Sequence, residues 1–172
     1  MATLDIITVP DPILKTVSDP VDQVNDAVRR LMDQMLETMY EAPGIGLAAI
    51  QVAVPKRILV VDVAREEDPK TPLFLVNPQI VWKSDAMRLH EEGCLSVPEH
   101  YAEIERPERI KVRFLDYEGN LREEDFEDIL STVVQHEMDH LNGVLFIDHL
   151  SRLKRDRVIK KMVKAKKLET VL

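Results

Sequence analysis

From Phe126 to Leu141, apolar residues recur at Ile129, Leu130, Val133, Val134, Met138 and Leu141, the three- and four-residue spacing of an amphipathic helix. Asn142-Gly143 supplies a C-cap pair. Inside this helix runs His136-Glu137-Met138-Asp139-His140. Residues four apart on a helix lie only about 40° apart around its axis, with Cβ atoms about 5–6 Å apart, so both imidazoles can hold one ion. Glu137 lies about 100° round from His136, too far to join as a ligand yet able to reach a water beside the ion. The same spacing also suits two half-buried histidines hydrogen-bonded within a helix.

A catalytic one-metal site normally takes three protein ligands and keeps a position for water. The long zincin pattern puts Phe146 where its third histidine belongs, although Gly143 fits. A downstream glutamate would have to be Glu169, near a chain end prone to fraying. The remaining soft donor is Cys94, in Glu91-Glu92-Gly93-Cys94-Leu95-Ser96-Val97-Pro98, though a lone cysteine is more often a small buried hydrophobe. The residues themselves leave the third ligand open.

The rest of the chain predicts an α+β fold. Residues 24–40 carry Val24, Ala27, Val28, Leu31, Met32, Met35, Leu36 and Met39 on one helical stripe, with Asn25 or Asp22 as cap and a stop near Ala42-Pro43-Gly44. Antiparallel strands are expected over 57–63, 73–82 and 110–115, with an exposed loop at 65–72 and a turn at Asp116-Tyr117-Glu118-Gly119-Asn120. A last helix over 151–168 offers Leu153, Val158, Ile159, Met162 and Val163 for packing. Helices at both ends of a strand-rich middle indicate α+β, with small antiparallel sheets around a central metal-binding helix.

At 172 residues and 45% apolar composition, one domain spanning 1–172 is expected. No stretch reaches about 18 uninterrupted apolar residues, and the first residues lack the features of a signal peptide, so no membrane role is expected. One cysteine rules out an intrachain disulfide and points to a reducing compartment, the cytoplasm or an organelle interior. The net charge of −8 argues against broad nucleic-acid binding but is unevenly spread. Residues 152–167 hold nine bases against Asp156 alone, which leaves 14 bases against 30 acids elsewhere.

Three stretches carry a family resemblance: Gly44-Ile45-Gly46-Leu47-Ala48-Ala49-Ile50-Gln51, Glu92-Gly93-Cys94-Leu95-Ser96 and Gln135-His136-Glu137-Met138-Asp139-His140. In order and separation they resemble the three signature motifs of peptide deformylases, and the likeness runs over essentially the whole chain. It implies Cys94, His136 and His140 as ligands of one divalent metal, Fe²⁺ in the cell with Zn²⁺, Ni²⁺ or Co²⁺ as substitutes. It implies Glu137 as the general base and then acid, with the Gln51 amide and the Leu95 backbone N–H as donors to the tetrahedral intermediate. Gly44, Ile45, Gly46 and Gly93 would pair with the main chain of a nascent formyl-methionyl polypeptide. Ile129, Thr132, Val133 and His136 would wall a methionine pocket, with His90 and Glu92 near its mouth, or Glu92 would instead orient Gln51 or pair with Arg106. Tyr101 departs from members that carry arginine there. The chain is expected to act as a monomer, and its basic helix over 152–168 to approach ribosomal RNA. An endopeptidase with another third ligand, or a structural metal module docking on RNA, are the rival readings.

Overall fold

Asn25 caps the first helix, α1 (Asp26–Glu41), by accepting the Val28 backbone N–H at 3.0 Å; the structure is a computed structural model and describes residues 2–171. Ala42 closes α1 ahead of Pro43, where the sequence predicts the stop. Seven strands follow: β1 (Gly46–Ala48), β2 (Ile58–Val61), β3 (Leu73–Lys83), β4 (Met87–Cys94), β5 (Val97–Pro107), β6 (Arg109–Leu115) and β7 (Leu121–Glu127). Then come α2 (Asp128–Leu141) and α3 (Arg152–Val171). Strands β1-β2-β3-β6-β7 form one antiparallel sheet, and β4 and β5 form a second of two strands.

The β2 sequence Ile-Leu-Val-Val is buried on both faces, which is why it reads as an apolar run without alternation. Leu59 and Val61 pack with Val133, Val134, Met138 and Leu141 of α2, while Ile58 and Val60 pack with Met32, Met35 and Met39 of α1. Because successive side chains leave a strand on opposite faces, this alternation puts the two helices on opposite sides of the sheet. The methionine stripe of α1 is core. Polar side chains flank β2. Arg57 donates to the carbonyls of Ser18 and Leu141, and Asp62 accepts from the Tyr40 hydroxyl and from the backbone N–H groups of Ala64 and Thr71.

In the two-stranded sheet Cys94 pairs with Val97, so Leu95 and Ser96 alone make the turn. Gly93 pairs with Tyr101, which leaves Pro98, Glu99 and His100 as a bulge, with Glu99 at a φ of 66°. A third apolar cluster joins Val9, Leu14, Val97, Ile104, Phe146 and Ile147 to Met162 of α3. Val158 and Ile159 pack against it, but Leu153, expected to pack as well, is 69% exposed. The apolar contacts of α3 come from its middle, and further along Lys166 Nζ donates to the Thr8 carbonyl at 2.9 Å. Among the described residues no helix is long and apolar enough to cross a membrane.

Candidate metal centre

The spacing of His136 and His140 puts both rings on the buried side of α2, 6% and 0% exposed. The β4–β5 turn carries Cys94 up to them. One donor atom from each of the three residues lies within 4.8 Å of the others, and Cys94 Sγ is 3.4 Å from His140 Nε2. A thiol and two imidazoles at such separations are a donor set for a tetrahedral or five-coordinate divalent ion with a position left over. Phe146, which occupies the long-zincin histidine position, has no donor atom and instead stacks on the His136 ring at 5.9 Å.

Each donor is held from behind. Glu92 Oε1 lies 2.8 Å from His136 Nδ1, which turns Nε2 toward the cleft. Arg106 grips both Glu92 oxygens, Nε at 2.6 Å and Nη2 at 2.9 Å, and reaches Asp139 Oδ2 with Nη1 at 2.9 Å. His149 Nε2 meets the same Asp139 oxygen at 2.9 Å. Glu92, 4% exposed, pairs with Arg106 and also lines the side cavity described below. Against the cost of burial, hydrogen bonds from His136 and Arg106 hold the Glu92 carboxyl below the usual carboxylate range.

Glu137 is 4% exposed, and its Oε2 lies 4.0 Å from His136 Nε2. Its other oxygen, Oε1, has no hydrogen-bond partner among the described residues. Burial pushes the Glu137 carboxyl up to about 7. Gly46 of β1 passes directly over it: a Cβ there would sit 2.6 Å from Glu137 Oε2 and 2.9 Å from Val133 Cγ1. Only glycine lets the β1 backbone come so near the carboxylate. Gln51 is set the same way, its Oε1 accepting the Ala48 N–H at 2.9 Å while Nε2 faces Ser96 Oγ at 3.0 Å and Cys94 Sγ at 3.6 Å.

A cleft of about 580 Å³ opens over these groups, lined by Gly44, Ile45, Gly46, Gln51, Gly93, Cys94, Leu95, His136 and Glu137, with Tyr101 at its edge. A side cavity of about 80 Å³ lies beside it, against Ile45, His90, Glu92, Gly93, Thr132, Val133, His136 and Glu137. Ile129 lines neither; it packs on the core between α2 and the sheet. His140 sits behind the cleft, fully buried. The sequence gives no role to Asp139, Arg88 or Ser96, and offers His149 only as a fourth ligand in the rival metal-module reading. The only available clue was Asp139 lying three residues after His136 on one face of α2.

Fold and site together define a class, an α+β protein in which one cysteine and two histidines converge beside a buried carboxylate as candidate ligands of a single metal ion. The comparisons narrow it. Residues 3–156 match the family model for polypeptide deformylase. A peptide deformylase from Phenylobacterium zucineum is 61% identical over 164 residues, which cover 95% of this chain and 97% of the relative. The crystal structure of peptide deformylase from Ehrlichia chaffeensis superposes with a TM-score of 0.93 at 42% identity, covering 98% of this chain and 99% of that one. A peptide deformylase from Acinetobacter baumannii, solved with Met-Ala-Ser bound, gives a TM-score of 0.81 at 36% identity over 87% of this chain and 99% of its own. The chain belongs to the polypeptide deformylase family, hydrolases that remove the formyl group from the N-terminus of nascent peptides.

Proposed function

We propose that Cys94, His136 and His140 hold the catalytic metal, Fe²⁺ in the cell, and that Glu137 is the base and then the acid of deformylation. The observation that carries this reading is the buried Glu137 carboxylate, which lines the cleft beside three converging donors and has one oxygen unpartnered among the described residues. The ion, when bound, supplies Lewis acidity toward a water and toward the formamide carbonyl. Glu137 takes the proton of the attacking water and returns it to the departing methionine amine. The Gln51 amide and the Leu95 N–H stabilise the tetrahedral oxyanion. With its carbonyl oxygen held by Ala48, the Gln51 amide group has one orientation available before substrate arrives.

Gly44, Ile45, Gly46 and Gly93 receive the peptide main chain as an added strand along β1, an edge of the larger sheet. Such pairing reads backbone and little sequence, as an enzyme acting on many nascent chains requires. The side cavity between Thr132, Val133, His136 and Glu92 takes the methionine side chain, with Ile129 backing its wall from the core. Met-Ala-Ser bound to the Acinetobacter baumannii relative supports this substrate class. Metal-loaded protein should release formate from formyl-Met-Ala-Ser and leave internal bonds of an N-acetylated protein uncut. Internal cleavage without formate would overturn the reading in favour of an endopeptidase.

Residues 1–172 act as one domain and as a monomer in the cytoplasm, in keeping with one free cysteine and bacterial relatives. Zn²⁺, Ni²⁺ or Co²⁺ substitutes for Fe²⁺ at the same ligands. The bases of α3 hold the enzyme near ribosomal RNA, where its substrate emerges; outside residues 152–167 the acids outnumber the bases 30 to 14, so rRNA phosphates would attract only this part of the chain. Reversing Lys154, Lys160 and Lys164 to glutamate should abolish salt-sensitive co-sedimentation with ribosomes while turnover of a free formyl-dipeptide continues. Undiminished co-sedimentation would reject this role.

A further inference from the structure

Thr132 is 2% exposed and stands on the α2 wall of the side cavity. Its Oγ1 accepts a hydrogen bond from Arg88 Nη1 of β4 at 3.1 Å, yet among the described residues nothing accepts the hydroxyl's own hydrogen. Thr38 shows the usual alternative. Buried in α1, it turns its hydroxyl onto the Gln34 carbonyl four residues back, at 2.6 Å. Thr38 also accepts, from the Leu4 N–H at 2.9 Å, and still donates, so the Arg88 guanidinium on Thr132 Oγ1 leaves that hydroxyl's hydrogen to be placed elsewhere. The polar groups nearby do not serve either: Glu92 is engaged by Arg106 and His136, and Glu137 Oε1 has no partner at all, Thr132 included.

A buried donor without an acceptor is costly, and such a site rejects a ligand that fills the space without meeting it. Ile45 and Val133 give the cavity its apolar side chains, and His90, Glu91, Glu92, His136 and Glu137 complete its lining with Gly93. We infer that Thr132 is a specificity residue whose hydroxyl donates to the thioether sulfur of the substrate's first side chain, and that Arg88 is the positioning residue that orients it. The cavity then reads methionine as a sulfur-bearing chain and not merely as an unbranched chain of that length. This rests on the cavity being the methionine pocket of a deformylase.

Formyl-Met-Ala-Ser and formyl-norleucyl-Ala-Ser test it, because norleucine replaces the sulfur with a methylene and changes little else. Metal-loaded wild type should favour the methionyl peptide in kcat/KM by roughly three- to tenfold, the range of one net hydrogen bond. Thr132→Val should bring the ratio near one, Thr132→Ser should restore it, and Arg88→Met should lower it with Thr132 still present. The ratio is taken within one preparation, so a loss of fold or metal that scales both rates does not move it. No preference in wild type, or a preference that survives Thr132→Val, overturns the role of Thr132. An unchanged ratio in Arg88→Met overturns that of Arg88. Formate from neither peptide overturns the deformylase reading itself.

Discussion

Glu137→Ala should keep its metal and lose formate release by about 10²- to 10⁴-fold, the contribution of a well-placed general acid–base group. The carboxylate touches no ligand other than His136, and there only at 4.0 Å, so removing it leaves Cys94, His136 and His140 where they are. Glu137→Gln is the sharper variant, since it keeps the volume beneath Gly46 and removes only the capacity to take a proton. Metal content by elemental analysis and formate by a coupled assay decide the matter together. Half of wild-type turnover with full metal would sink the assignment of the base. The pH profile follows from the same group. Glu137 must be ionised to accept a proton, so kcat/KM falls on the acid side. Burial raises its carboxyl to about 7, and a cation beside it favours ionisation, so the acid limb lies at or below that value.

Arg106→Met should destabilise the protein by about 3–5 kcal/mol and weaken metal binding about 10- to 100-fold. The guanidinium is 5% exposed and lies against a Glu92 side chain that is 3% exposed, so its loss leaves a carboxylate buried with only His136 for company. Burial penalises the Arg106 charge, but Glu92 and then Asp139 outweigh that cost and raise its pKa further. Once the fork is gone, Glu92 is free to turn, and with it the His136 ring. Urea unfolding and competition with a chelator measure the two effects separately. Unaltered affinity in a destabilised protein would mean that Arg106 supports the fold and not the metal site.

The parts visible in the sequence are those whose chemistry is local. A helix four residues per ligand wide announces itself, and so does the Asn25 cap. β2 lies within, and β3 and β6 overrun by one residue, the runs expected from β-branched and aromatic content, since their apolar residues face a core. Strands β4 and β7 were illegible because their alternation is hidden. Glu92 is the one buried residue of β4, and Phe126 the one buried residue of β7. β4, in the two-stranded sheet, and β7, at an edge of the larger one, carry charged residues at many positions and so lack the apolar alternation that marks a strand. Leu153 erred the other way, an apolar residue at a packing position on a helix whose first turn stands clear of the body. The convergence of Cys94 on the histidines was legible only through resemblance, since 42 residues separate it from His136. Arg106 and Asp139 meet across 33 residues, a distance no local pattern spans.

The apolar run of β2 raises a question of alignment. With both faces buried, sliding this strand by one residue would still put hydrophobic side chains against both helices, so greasiness alone cannot fix its pairing. Arg57 and Asp62 can. Each sits just beyond an end of the strand with a set of partners that only one alignment supplies: carbonyls from Ser18 and Leu141 on one side, Tyr40 and the 64–71 loop on the other. They work as end stops, converting a slip into a buried charge without a counterpart. β1 takes its place from β2 through the pairing of Gly46 with Val61. The point at which the backbone crosses the catalytic carboxylate is thus indexed by two charged residues that never touch it.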